Sequence, residues 1–304
     1  MIGNILNILV FTQLKLFRDN RSAFYLVVES LSDLLYHFIS IVATILTALY
    51  GDDRIGKNLI WCRLRFLLTQ TATLMMCYII CIVACEQFMS TNYRLKELCT
   101  IRLARYLVSI FTCLSFIHSM IFCLFLEIQP NVGCIILNSV WLRYATYFFY
   151  PILIGFLPII IASLFNILAF RNVHHIVRRQ IPIARRRLDQ QMTTMVLVRV
   201  IIYVCFLLPY VIYRIYAINV PVTQNDLLNY SIRQLIQTLF QSLSAVNFTI
   251  SFYIFILVSP RYRHQIKFLL IRKYWRKCKS YCCGNRNQIG PMAIDPIDEN
   301  IELE

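Results

Sequence analysis

Six long, predominantly apolar runs dominate the chain, near 24–49, 59–89, 104–126, 144–170, 193–218 and 234–258, and a shorter seventh occupies 1–14. A helix rising 1.5 Å per residue needs roughly 20 residues to cross about 30 Å of hydrocarbon, so each of the six can span a bilayer. Hydrocarbon offers no hydrogen bonds, and a helix satisfies its backbone groups within its own segment. The expected fold class is therefore all-α, a seven-transmembrane helix bundle. The first run is short for a span. It has neither the basic leader nor the small-residue cleavage site of a signal peptide, and the expectation is that part of this helix precedes Met1.

Charge tests that expectation. The net charge of +15 would suit a nucleic-acid binder, yet only 15% of residues are charged and 59% are of the apolar types. The positions of Lys and Arg decide the matter. If the first run exits into the cytoplasm, segments 15–23, 90–105, 171–199 and 259–304 hold 3, 4, 7 and 9 basic residues, together 23 of the 30. The remainder are Arg54, Lys57, Arg63, Arg65, Arg143, Arg214 and Arg233. This is the positive-inside bias, with the N-terminus outside and the C-terminus inside. Membrane lipids, not nucleic acid, are the partner this implies.

On that topology Cys62 and Cys134 lie near the oxidising side and form the natural disulfide pair. Cys77, Cys81 and Cys85 share one helical face, but no His or carboxylate joins them, so they read as packing residues and no metal or other cofactor is implied. Segment 259–274 alternates Tyr262, Ile266, Leu269, Leu270 and Tyr274 with Arg263, Lys267, Arg272 and Lys273, as a short amphipathic helix on an anionic leaflet does. Cys278, Cys282 and Cys283 follow as palmitoylation candidates, with free thiols the alternative. The acidic tail within 275–304 reads as solvated and disordered.

Asp33 is the main deep acid and Glu86 lies near a span edge. An unpaired carboxylate at membrane depth costs about 2.5–3.5 kcal/mol, so Asp33 should face the bundle interior. Asn4 and Asn247 place amides at similar depth, as interhelical glue or as working groups. Pro158 and Pro209 interrupt the fifth and sixth runs, and prolines there kink helices and can act as hinges. His118 stands alone in the fourth run, and His37 is one turn from Asp33.

Taken in order, these features resemble the rhodopsin-like (class A) G-protein-coupled receptors, in a divergent, invertebrate-type orphan form, from Gly3 to about Cys283. Gly3-Asn4 looks like the family's first-helix GN, Ser32-Asp33 like its second-helix acid, and Cys62 with Cys134 like its disulfide. Glu86-Gln87-Phe88 stands where the family has Asp/Glu-Arg-Tyr, so the arginine of its ionic lock is replaced by Gln87. Thr249 to Tyr253 stands where the family has Asn/Asp-Pro-x-x-Tyr, keeping Tyr253, with Asn247 two residues earlier as a partial substitute. Leu207 occupies the toggle-tryptophan position. The family binds sodium at the second-helix acid. Here sodium at Asp33 is an option rather than the preferred reading, because Met76 stands near the expected hydroxyl.

The resemblance implies a plasma-membrane receptor in which a bound ligand favours outward movement of helix six about Pro209, opening a cleft to a heterotrimeric G protein. Thr69 in place of an acid argues against amine ligands, and no lysine between Tyr230 and Tyr253 is available to hold retinal. Arg65, Thr69, Gln70, Tyr213, Gln237 and Gln241 are the candidate ligand contacts, beneath Arg63, Arg143, Arg214 and Arg233. That mouth suits a peptide, slightly favoured, or an anionic small molecule, unless the arginines merely snorkel. Inside, Arg171 to Arg187, with His174, His175, Arg178 and Arg179, would meet transducer or anionic lipid. The competing readings are a receptor that binds ligand without activating G protein, a small transporter or channel, and an intramembrane enzyme. A channel would show repeats and further deep charges, and an enzyme a second catalytic group beside His118.

Overall fold

The computed structural model describes residues 1–13, 21–50, 58–92, 95–129, 133–176, 183–219 and 227–269. Arg54, Lys57, Arg178, Arg179, Cys278, Cys282, Cys283 and the tail 275–304 lie outside them. Helices follow the apolar runs: α1 Ile2–Gln13, α2 Arg21–Tyr50, α3 Leu59–Thr91 and α4 Ile101–Leu124. Next comes α5, a succession of Ser139–Tyr144, a π-helical stretch Ala145–Phe156, and Leu157–Ile176. Then come α6 Ile183–Asn219, the two-part α7 (Leu227–Ala245 and Asn247–Val258) and α8 Pro260–Lys267. Five of these helices are long and apolar enough to cross a membrane. The bent α7 makes a sixth, and α1 is apolar but 12 residues long. The result is an all-α, seven-helix bundle.

Side-chain caps mark several helix starts. Asn58, Thr100 and Asn138 accept backbone N–H bonds at the first turns of α3, α4 and α5, supplying acceptors that the helix itself lacks. In the bundle α3 is central, packing on α2, α4 and α5, while α1 lies against α2 and α7, and α6 against α5 and α7. Between α4 and α5 an antiparallel hairpin, β1 Leu126–Gln129 and β2 Gly133–Ile136, carries Cys134 to Cys62, joined with Cα atoms 6.1 Å apart.

The fifth and seventh helices are irregular for identifiable reasons. Pro158 has no N–H to offer the Ile154 carbonyl. That carbonyl instead accepts from the Cys77 thiol (3.9 Å) and the Tyr203 hydroxyl (3.5 Å), so α3 and α6 repair the defect in α5. Pro151, within the π-helical stretch, is a second interruption. The 42° bend of α7 contains no proline. Just past it, the Phe248 carbonyl receives the Asn4 amide (2.9 Å) and lies 3.3 Å from His37 Nε2, contacts from α1 and α2 that intrude on the helical ladder.

Two glycines permit close helix approach. A Cβ on Gly155 would sit 2.9 Å from Val211 Cγ1, and one on Gly3 would sit 2.9 Å from Phe252 Cβ. Gly3→Val is therefore expected to wedge α1 from α7 and cost about 1–3 kcal/mol. Thermal unfolding in detergent checks this, and an unchanged midpoint would show that the interface is loose.

The apolar face of α8 turns inward. Tyr262, Ile266 and Leu269 are buried, and Tyr262 packs among Phe11, Phe252 and Phe255, its hydroxyl donating to Asn7. Ser259 caps the helix and Pro260 starts it. Amphipathicity here serves packing on α1 and α7, which a sequence pattern alone does not distinguish from packing on lipid.

Candidate functional site

At the end of the bundle opposite the disulfide, four helices meet through polar side chains. Glu86, near the end of α3, accepts from Ser22 Oγ (2.9 Å) and lies 3.4 Å from Arg21 Nε, both on the first turn of α2. The neighbouring Gln87 donates to Ser22 Oγ (3.1 Å) and accepts from Thr193 Oγ1 of α6 (3.2 Å). An amide thus ties α3 to α2 and to α6, although it carries no charge.

The charged tie lies deeper. Arg199 of α6 directs Nε (3.2 Å) and Nη2 (2.5 Å) to one oxygen of Glu29 on α2, and Ser251 Oγ of α7 donates to the same oxygen (3.3 Å). Both charged side chains are 4% exposed. Sequence reasoning missed Glu29, which lies near the start of its apolar run, whereas Asp33 lies deep within it. Its signal was the i, i+4 spacing to Asp33, which puts two acids on one face of α2. Arg199 counted as a span-end cation by position, and the fold instead buries it in the bundle.

Asp33 is wholly buried. Among the described residues neither carboxylate oxygen has a hydrogen-bond partner, nor do both amide atoms of Asn247 or Oδ1 of Asn4. These groups come from α2, α7 and α1. Orphaned oxygens of this kind suit ordered water or a hard cation. The buried Met76 adds no oxygen from α3. His37 does not turn to Asp33: its ring Nε2 sits 3.0 Å from Thr249 Oγ1 and near the Phe248 carbonyl. Tyr253 lies on the outer surface, 54% exposed, away from the buried network that its neighbour Ser251 joins. Pro158 and Pro209 sit within α5 and α6, and beside Pro209 an apolar groove runs along Leu208, Ile212, Tyr213 and Phe240.

The residues singled out for ligand contact separate into two groups toward the disulfide end. Gln70 is buried on α3, 3.5 Å from His118, whose other ring nitrogen is 2.8 Å from the Tyr144 hydroxyl. His118 also stacks on Phe149, so it is a packed, hydrogen-bonded histidine. Thr69 bonds to its own helix at the Arg65 carbonyl, and Arg65 is exposed. In the second group Tyr213 donates to the Arg233 carbonyl (2.7 Å), joining α6 to α7, where Gln237 is half-buried and Gln241 exposed.

The arginines differ in what they do. Arg63 bonds the Leu124 and Leu126 carbonyls at the end of α4 and the start of β1, Arg143 is exposed, and Arg233 lies over the Tyr216 ring. Arg214 sits over the Tyr150 ring at 4.6 Å and donates to its hydroxyl (3.1 Å). No carboxylate pairs with Arg214 among the described residues, and its Nε is buried without a partner. Two of the α3 thiols pack as anticipated, Cys77 and Cys81 touching α5 carbonyls, and Cys85 lies a turn farther along α3.

A family model described as the 7 transmembrane receptor (rhodopsin family) matches residues 3–250. No curated protein matches the chain.

Proposed function

The chain belongs to the rhodopsin family of seven-transmembrane receptors, and from that membership we propose that it couples an extracellular ligand to a heterotrimeric G protein through outward movement of α6. It acts as a receptor and not as an enzyme. The disulfide end faces outward at the plasma membrane and the C-terminus lies inside, a reading supported by the Lys and Arg distribution and by the Cys62–Cys134 bond.

One observation carries this reading: α6 is held to its neighbours near its first half by side-chain bonds, Thr193 to Gln87 and Arg199 to Glu29, with Pro209 farther along the same helix. Side-chain bonds of this kind have two discrete states, made and broken, as a switch requires. A ligand shifts that equilibrium only by its affinity difference between the two states. Sodium or water at Asp33 would be held by oxygens of α1, α2 and α7 in one state, supported by the orphaned oxygens there.

For the ligand, Arg214, which pairs with no carboxylate among the described residues, favours an anion, a carboxylate of a peptide or of a small molecule. Among the described residues its guanidinium bonds the Tyr150 hydroxyl and lies over that ring, which leaves donors for a planar anion. The full chain in nanodiscs with a panel of G proteins is the test, screened against carboxylate-bearing peptides and small molecules by nucleotide exchange. A ligand that raises exchange is expected to lose about tenfold or more in potency with Arg214→Gln, the worth of about 1.4 kcal/mol for one charge-assisted bond. Unchanged potency would sink the anion reading.

The second reading, ligand binding without G-protein activation, is favoured by Gln87 in place of the family's arginine. It wins if a ligand binds and exchange appears only after Gln87→Arg.

A further inference from the structure

We propose that the Arg199–Glu29 pair is the latch of this receptor: it holds α6 closed against α2, in place of the α3 arginine that the chain lacks. The consequence for signalling rests on the receptor reading above. The latch itself is a statement about where α6 sits.

Three features of the pair support a latch over a mere packing contact. First, three donors, Arg199 Nε, Arg199 Nη2 and Ser251 Oγ, converge on one oxygen of Glu29, so α2, α6 and α7 meet at a single atom. Second, with both side chains 4% exposed, solvent does not screen the pair while α6 is closed. A contact of that kind resists gradual stretching and is either made or broken. Third, Arg199 lies ten residues before Pro209, about 15 Å along the helix. A pivot at Pro209 therefore moves the guanidinium farther than it moves the residues nearer the bend.

A second α6 tie at this end, Thr193 to Gln87, is a neutral hydrogen bond. In the α3 position where the family carries a cation, the chain has the uncharged Gln87, whose amide only bridges Ser22 and Thr193. The cation has moved to α6 and its acid to α2. Asp33, one turn from Glu29, shares no hydrogen bond with Arg199 among the described residues, and Glu29 is the latch's acid. Arg199 Nη1 remains buried and unpartnered, so the guanidinium makes its bonds through one edge.

The test measures helix position directly in the full chain in lipid nanodiscs. Nitroxide labels on noncanonical residues, needed because the chain has 12 cysteines, are placed at position 106 on α4 and position 190 on α6. The double variant Glu29→Gln with Arg199→Met removes both charges, leaving no lone ion to prevent folding. It is expected to raise a longer-distance population at least about tenfold, from the per-cent range of a minor state. Glu29→Asp keeps the charge, shortens the reach by one methylene, and should shift the same distribution in the same direction to a smaller degree. It also supplies the reading if the double variant fails to fold. Distributions identical to the unmodified chain overturn the latch. Nucleotide exchange is recorded on the same samples. A raised long-distance population without any exchange keeps the latch and rejects the G-protein reading, and raised exchange with unmoved distances rejects the latch.

Discussion

Arg199→Met alone is expected to destabilise the full chain by about 3–5 kcal/mol, because it strands the Glu29 carboxylate in a site that excludes water. Ser251 Oγ would be the remaining donor to that oxygen, and one hydroxyl does not replace a guanidinium. Glu29→Gln should cost a similar amount from the other side, since it leaves the Arg199 cation buried. Combining the two is expected to recover most of the loss, because a pair of apolar or neutral groups of similar volume is often as stable as a buried ion pair. Unfolding midpoints of the three variants in one detergent decide the matter. If the double variant loses the sum of the single losses, the residues act independently and are not a pair.

The second large effect is expected from Cys62→Ala with Cys134→Ala. The bond closes a separation of 72 residues, for which chain entropy alone would suggest the upper part of the usual 2–5 kcal/mol. Much of that loop is α3 and α4, and membrane helices retain their structure and insertion when the bundle comes apart. The entropy released is correspondingly smaller, and a loss of about 2 kcal/mol is expected. Cys62 also belongs to a small cluster with Cys123 and Leu126, packed by Phe66, Leu67 and Ile136, so the β1–β2 hairpin retains an apolar seat. The variant should unfold at a lower temperature while keeping the hairpin's backbone hydrogen bonds, measured by amide exchange across the two strands Leu126–Gln129 and Gly133–Ile136. Rapid exchange at both would show that the disulfide, and not the apolar seat, holds the hairpin.

The disulfide partners, the buried Asp33 and the amphipathic α8 were readable because each depends on local pattern. A cysteine at the end of an apolar run, an acid inside one, and alternating basic and apolar residues carry their meaning along the chain. Glu29 and Arg199 were not readable as a pair. They are 170 residues apart, and Arg199 at the start of an apolar run looks the same whether it snorkels to headgroups or turns inward. The bend of α7 escaped for a related reason: its cause is an Asn4 amide and a His37 ring arriving at the Phe248 carbonyl from other helices. Tyr253 shows the converse, a residue that matches a family position by spacing and yet lies on the outer surface.

Sequence alone determined the all-α class and the order of the apolar helices of this receptor, because hydrocarbon and backbone hydrogen bonding leave a long apolar run no other stable form. It also singled out Cys62 and Cys134, the pair that the structure joins. Tertiary structure decided which polar groups meet. Lipid does not tell one helix face from another as water does, so the side on which Arg199, Glu29 and Ser251 converge follows from packing between helices and from nothing nearby in the chain.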